Sequence, residues 1–241
     1  MANPYYHPGS GRSRQVRTLF ASIAPRYDLI NDLQSLGWHR RWKRRLLDRA
    51  RATPGQRALD VCCGTGDIAF RLRRSGSWVA GVDFSPPMLQ VALRRAATKA
   101  QATPPLFLAA DALALPFPDQ SFDLATMGYG LRNLRDFGAG LREVHRVVRA
   151  GGRLVILDFG KPDWWVWRGL YLAYLKAVVP VFGRLICGDA AAYAYILESL
   201  RHFPDAAALG TLLRESGWCD VGIEPLLGGA MALHWARRAA D

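Results

Sequence analysis

Three carboxylates recur behind short apolar runs, and their spacing is the first chemical signal in the chain. Asp60 opens Asp60-Val61-Cys62-Cys63-Gly64-Thr65-Gly66-Asp67, a strand-like run that turns on glycines and enters a helix-like run. Gly64 and Gly66 let main chain approach a ligand closely. The stretch also fits G-x-G-x-x-A, a weak signal for a dinucleotide when it stands alone. A pyrophosphate wants the following helix N-terminus free of negative charge, yet Asp60 and Asp67 bracket this loop. S-adenosylmethionine brings an ammonium and a sulfonium and no phosphate, so acids near the loop favour it. Asp83 lies 17 residues past Gly66 at the end of the next apolar run, where a carboxylate can accept both ribose hydroxyls. Asp111, in Ala110-Asp111-Ala112-Leu113, could accept from an adenine amino group. Any one of these acids could be a cap or turn residue; three at successive strand ends form a coherent set.

Positioning such a set requires alternating strands and helices. Strands are expected at Ala58–Cys62, Trp78–Val82, Leu106–Ala110, Phe122–Met127 and Arg153–Phe159. Helices are expected at Asp67–Arg74, Pro86–Lys99 and Phe137–Val148, the last ended by Ala150-Gly151-Gly152. Asp205–Ser216 reads as a later helix, and Trp218–Glu224 and Ala230–Arg237 as closing strands. This rhythm predicts an α/β fold, a doubly wound, mostly parallel sheet of seven strands in one domain spanning 1–241. Two parts lie outside it: a helical, basic N-terminal cap over 12–50, and a helical insertion over 161–202 after the fifth strand. Both are placed to cover the carboxyl ends of the strands, where open α/β sheets bind ligands.

The chain has 241 residues, half of them apolar, and a net charge of +12. Twelve of its 32 basic residues, against three of its 20 acids, fall in the first 57 positions. His39-Arg40-Arg41-Trp42-Lys43-Arg44-Arg45 concentrates this charge on a segment running to Ala50. It is a solvated helix face, or a face for nucleic acid or anionic lipid; Trp38 and Trp42 make lipid the better of the two partners. Four cysteines without a Cys-x-x-Cys pair exclude a disulfide scaffold, argue against structural zinc and point to a reducing, cytoplasmic setting. The polar Met1–Gly11 stretch carries no signal-peptide core. Trp164–Cys187 is apolar but broken by Arg168, Lys176, Pro180 and Arg184, which predicts an amphipathic rather than a spanning segment.

These motifs together resemble a class I S-adenosylmethionine-dependent methyltransferase, a Rossmann-like fold, and more narrowly the UbiE/MenG family of quinone C-methyltransferases. The signature begins with Tyr27-Asp28-Leu29-Ile30-Asn31 and runs to Trp42. It continues in Gly130-Leu131-Arg132-Asn133, in Arg146 to Phe159, and in the run Asp189 to Pro204 with Tyr193, Tyr195 and Glu198-Ser199. The likeness covers about Val16 to Arg237. Some motifs look most like the cyanobacterial and plastid branch, which acts on demethylphylloquinol; the 189–205 run looks more like the general bacterial branch. Asp158 stands where many members have Glu, and Gly128 where Ser is frequent.

The resemblance implies methyl transfer from S-adenosylmethionine to a ring carbon of a prenylated quinol, a demethylnaphthoquinol first and a methoxy-prenyl-benzoquinol as the alternative. It places Tyr27, Asp60, Gly64, Thr65, Gly66, Asp83, Phe84, Met88, Asp111, Ala112 and Gly128 around the cofactor. Arg132 would stabilise phenolate charge and Asn133 would orient the ring. His39 or Asp28 would take a proton, although His39 could equally face solvent and Asp28 could cap a helix starting near Asn31. Trp164, Trp165, Trp167, Tyr171, Tyr174 and Phe182 would line an apolar mouth for the prenyl tail; a buried core or a homodimer face explains them as well. A bilayer-resident substrate would bring the basic helix and the insertion to the membrane as a peripheral contact. Met127-Gly128-Tyr129-Gly130 occupies the place where many N-methyltransferases carry Asn/Asp-Pro-Pro-Tyr/Phe, which argues against an amine target and a nucleic-acid partner. The competing readings are an RNA methyltransferase, a non-catalytic scaffold in a quinone-synthesis complex and an NAD enzyme.

Overall fold

The computed structural model describes residues 12–98, 103–187 and 190–240. The polar Met1–Gly11 stretch, Lys99 and Asp189 lie outside the described residues, and the side chain of Tyr193 is not described. The N-terminal cap consists of α1 (Arg12–Ile23), α2 (Tyr27–Gln34) and α3 (Trp38–Ala50), with a short 3-10 turn at Ala24–Arg26. The alternating body follows as β1 (Arg57–Val61), α4 (Asp67–Arg73), β2 (Trp78–Asp83), α5 (Pro86–Thr98), β3 (Leu106–Ala109), β4 (Phe122–Gly128), α6 (Phe137–Val147) and β5 (Val148–Phe159). The insertion supplies α7 (Trp165–Ala177), α8 (Val179–Cys187) and α9 (Ala190–His202). The chain closes with α10 (Ala206–Glu215), β6 (Trp218–Leu226) and β7 (Met231–Arg238).

The seven strands run in the order β3-β2-β1-β4-β5-β7-β6. The first five are parallel neighbours, and β7 runs antiparallel to both β5 and β6. The strand order reverses between β1 and β4, so the crevice at their carboxyl ends is a ligand site by topology. Central strands buried on both faces read as continuous apolar runs: Ala58, Leu59 and Val61 on β1, and Leu154 to Leu157 on β5, are sealed from solvent. A separate apolar cluster joins the cap to the insertion, through Val16, Leu19, Ile23 and Ile30 on one side and Tyr171, Leu175, Tyr195 and Ile196 on the other. The two segments thus form one roof although more than 100 residues separate them.

Two boundaries differ from the sequence expectation. Strand β5 starts at Val148 rather than Arg153, because the chain passes from α6 straight into pairing with Phe122, and the bulge between Phe122 and Leu124 absorbs the extra residues. A Cβ on Gly152 would stand 2.6 Å from Val148 Cγ1 and 2.8 Å from Arg149 O, so the glycines let strand and bulge coexist instead of ending the helix. Helix α2 starts at Tyr27 rather than near Asn31, so Asp28 lies inside its first turn and does not cap it.

Candidate functional site

The glycine loop leaves β1 with three left-handed residues at alternate positions. Cys62 and Gly64 adopt φ of 56° and 54°, and Gly66 adopts 81° at the start of α4. A Cβ at Gly66 would meet Phe107 Cζ at 2.8 Å, whereas one at Gly64 would meet nothing within 4 Å. The loop is therefore packed tightly against the body at Gly66 and open toward the crevice at Gly64. Across from it, at the end of β4, a Cβ on Gly130 would stand 2.4 Å from Cys62 Cβ, while one on Gly128 would meet only the far end of Ile68, Cδ1 at 2.4 Å. The crevice floor is consequently main chain. Burial pushes the Cys62 and Cys63 thiols well above the usual range.

Asp83 is held by main chain on both oxygens: Oδ2 accepts from the Gly64 amide at 2.8 Å and Oδ1 from the Ser85 amide at 2.9 Å. Burial raises its carboxyl to about 6, with these amides opposing the rise. A first cavity is lined by Tyr27, Gly64, Asp83, Phe84, Met88, Asp111, Ala112 and Gly128 of the expected set, together with Phe20, Cys62, Tyr129, Gly130, Asn133 and Arg135. Asp111 is exposed at its edge and binds the Leu113 amide at 2.9 Å.

Three of the expected cofactor residues do not line this cavity. Gly66 is spent on the packing just described. Asp60 is buried under the sheet end, accepting from Thr126 Oγ1 at 2.8 Å, and burial raises its carboxyl to about 7 despite that bond. Thr65 is tied to the cap, its hydroxyl shared with the Asp28 carboxylate at 3.1 Å and with Arg95 Nη1 at 3.0 Å. Asp28 in turn pairs with Arg95 at 2.7 Å. The structure thus makes Asp28 a latch between α2, the glycine loop and α5, and it lines neither cavity.

A second cavity of about 450 Å³ opens between the sheet end, the cap and the insertion. Its walls are largely apolar: Leu19, Ile23, Trp42, Phe159, Leu170, Leu175, Val179 and Ile196, with Trp167, Tyr171 and Tyr174 from the aromatic segment. Trp164 and Trp165 are exposed outside it, and Phe182 is not part of its wall. Arg132 enters this wall from the 3-10 turn Leu131–Asn133. Its amide and Nη1 reach the two oxygens of Asp158 at 3.2 and 3.4 Å, and Nη1 also donates to Tyr129 O. Both partners are almost fully buried. Asn133 faces the first cavity instead, donating to Tyr129 O and accepting from Tyr195 Oη, each at 3.1 Å.

His39 is buried in the second wall rather than facing solvent with its arginine neighbours. Its tautomer follows from its contacts. The Ser35 hydroxyl spends its hydrogen on Asn31 O at 2.5 Å, so at the 3.1 Å contact between Ser35 Oγ and His39 Nδ1 the hydrogen belongs to the ring. Nε2 is left as the basic nitrogen, 3.5 Å from Asp32 Oδ1. Burial holds the imidazole below its ordinary range, against the pull of the Asn31 carbonyl and the Asp32 charge. The bond from Arg40 holds Asp32 ionised below the usual carboxylate range. A neutral imidazole beside a fixed carboxylate is a competent proton acceptor.

Phe20, Tyr27 and Tyr129 line both cavities and form their shared wall. Burial pushes Tyr27 up to about 12 and Tyr129 well above a normal phenol, so both stay protonated. Below them Lys43 pairs with Asp67 at 2.9 Å. Burial alone would raise the Asp67 carboxyl, but Lys43 and Arg71 more than reverse it and hold it well below the usual range. Reasoning from sequence missed Tyr129 and Asp158. The available signal for Tyr129 was an aromatic residue set between two glycines, Gly128 and Gly130, the mark of a forced left-handed turn.

Comparison with known proteins gives the same picture from outside. Residues 9–238 match the model of the ubiE/COQ5 methyltransferase family. A demethylmenaquinone methyltransferase of Thermus thermophilus is 44% identical over 218 residues, covering 90% of this chain and 98% of that protein. Among solved structures, the [4+2]-cyclase SpnF superposes with a TM-score of 0.72 at 19% identity, over 95% of this chain and 97% of its own. A SAM-dependent methyltransferase from Aquifex aeolicus gives 0.60 at 18% identity, over 81% and 88%. These two likenesses establish the fold; a cyclase on the same scaffold shows why the reaction must be argued from the site.

Proposed function

The chain belongs to the ubiE/COQ5 methyltransferase family, and from that premise we propose that it methylates a ring carbon of a prenylated demethylnaphthoquinol, with S-adenosylmethionine as donor. The observation that carries this reading is the shared wall: a cavity floored by main chain and edged by Asp83 and Asp111 meets a far more apolar one across Phe20, Tyr27 and Tyr129. Donor and acceptor would occupy the two sides, with the reacting atoms aligned where the cavities touch.

The first cavity suits the donor. Asp83, fixed by two amides, keeps lone pairs for a vicinal diol, and the open face of Gly64 leaves room for close main-chain contact. Asp111 at the edge would accept from the adenine, and Phe84, Met88 and Ala112 would pack around it. Bound there, S-adenosylmethionine supplies an electrophilic methyl on a sulfonium, which departs as a neutral thioether while the ring releases one proton. Asp60, Thr65 and Gly66 support this cavity by shaping the loop.

On the acceptor side, Arg132 would stabilise the phenolate oxygen that makes the ring carbon nucleophilic. Asp158 keeps that guanidinium in place from behind. His39 would take the hydroxyl proton on Nε2 and Asp32 would stabilise the imidazolium. Asn133, engaged at both ends, would hold the turn that carries Arg132. Trp167, Leu170 and Tyr174 would take the first units of the tail.

A tail continuing out of this mouth would bring the opening to a membrane surface. Leu36 is 85% exposed on the turn between α2 and α3 at φ 48°, and Trp38, Leu170 and Leu227 are exposed around the same opening. Arg41 and Arg44 lie beside them in an adjoining groove. Among the described residues no helix is long and apolar enough to cross a membrane, so the contact would be peripheral. Flotation with phosphatidylglycerol vesicles should carry the protein upward; absence from the vesicle fraction overturns the contact.

The defining experiment is transfer of labelled methyl from S-adenosylmethionine to reduced demethylmenaquinol, demethylphylloquinol and a methoxy-prenyl-benzoquinol. Turnover on a naphthoquinol is expected. Turnover on the benzoquinol alone would overturn the ring assignment, and none on any of the three would overturn the reaction.

A further inference from the structure

We propose that the Tyr129 hydroxyl is the group that binds the activating oxygen of the acceptor ring. This rests on the donor-and-acceptor reading of the two cavities and assigns a residue that the reading leaves unused.

Chemistry fixes where that oxygen must be. The carbon that receives the methyl lies at the junction of the cavities, and the hydroxyl that activates it sits on the adjacent ring carbon. A group that donates a hydrogen bond to this oxygen from beside the methyl donor must therefore belong to the shared wall, with Arg132 offsetting the charge from the second cavity. Among the described residues three side chains line both cavities. Phe20 has no polar atom. Tyr27 Oη already takes an interaction from the Asn31 side chain. Tyr129 Oη is buried and has no hydrogen-bond partner.

A buried hydroxyl without a partner is destabilising, and so is a tyrosine at φ 62°. The fold keeps both at one residue. The Tyr129 amide is anchored to Leu157 O at 2.7 Å, and the following Gly130 has no room for a side chain. The ring packs edge-on against Phe159 at 6.1 Å, with Lys43 Nζ 6.0 Å from its centroid on the α3 side. Strain, burial and an unused donor at the meeting point of two cavities are what a prepositioned ligand group requires. Its hydrogen is held firmly, so it donates to the ring oxygen and strengthens that bond as the oxygen becomes a phenolate. Methyl transfer itself balances without Tyr129: a carbon–carbon bond forms, the carbon–sulfur pair goes to sulfur, and one proton leaves the ring system for the base.

The test is a cycle of two proteins and two ligands, read by binding without the donor present. The ligands are 3-prenyl-1-naphthol and 2-prenylnaphthalene, which differ by the hydroxyl. The wild-type protein should bind the naphthol about tenfold more tightly. Tyr129→Phe should lose most of that preference, retain its affinity for S-adenosylmethionine, and lose about 10- to 100-fold in kcat on the quinol. Its melting temperature should be equal or higher, since the unpartnered hydroxyl is gone; this separates loss of a ligand contact from loss of structure. An undiminished naphthol preference in Tyr129→Phe overturns the proposal, as does unchanged kcat. Failure of the wild-type protein to methylate any quinol would instead remove the reading on which it rests.

Discussion

The two cavities share a wall but are made in different ways. The donor side is built from the loops that end β1, β2, β3 and β4, and its key contacts are main-chain amides and glycines. The proposed acceptor side is assembled from the N-terminal helices α1 to α3 and the inserted helices α7 to α9, and its wall is mostly apolar side chain. A surface that binds through the backbone constrains residue types severely, because only glycine or a hydrogen-bonding acid serves at each position. A surface that binds through helix faces accepts any apolar residue of suitable size. The donor side is accordingly the conservative half of the molecule and the acceptor side the half on which specificity can vary.

Perturbing one side while reading the other sharpens this division. The largest effect belongs to Arg132. Arg132→Met should lower kcat by about 100- to 1000-fold, with donor affinity unchanged by titration calorimetry. The same variant strands Asp158 and should cost about 3–5 kcal/mol of stability in denaturant melts. Adding Asp158→Asn should restore much of the stability and none of the activity; a return of activity would mean that the guanidinium acts only on the fold. Next comes Asp83. Asp83→Ala should weaken donor binding by about 100-fold through loss of charge-assisted hydrogen bonds, and leave binding of 3-prenyl-1-naphthol within about twofold. Equal weakening of both ligands would dissolve the division.

The smallest effect is on pH dependence. The folded chain holds a proton on Asp60 up to about pH 7, whereas the unfolded chain releases it near pH 4. Folding therefore binds a proton between these values, and this residue's contribution to stability falls as pH rises from about 4 to 7 and is flat above. Asp60→Asn should raise the melting temperature at pH 8 and leave it unchanged at pH 3.5. Asp67 acts in the opposite sense. Its carboxyl is depressed when folded, so its contribution is full above about pH 4 and is lost as pH falls further.

The alternation of strands and helices, the three acids and the glycine loop were legible because each is a local requirement of the backbone. Asp83 is an instance: its position two residues before Ser85 and opposite Gly64 follows from a strand ending beside a turn. Asp60 shows the limit of such reading. It has the same local signature, but its direction depends on Thr126 in a neighbouring strand, and it turns under the sheet. Asp28 shows the limit again, since its partners Thr65 and Arg95 lie 37 and 67 positions away. His39 looked like one more member of a charged helix, and only the packing of α3 against the body buries it. The aromatic segment divided for the same reason: Trp167 turns inward to the cavity while Trp165, two residues earlier on the same turn of α7, faces solvent.

The raised thiols of the glycine loop have a consequence for durability. Naphthoquinols interconvert with naphthoquinones, and quinones are electrophiles that capture thiolates. Cys62 stands in the wall of the first cavity, which shares Phe20, Tyr27 and Tyr129 with the second. The thiolate is the reactive form, and burial keeps Cys62 and Cys63 in the protonated one. The same desolvation that shapes the loop therefore protects it from arylation by the oxidised form of its own substrate class.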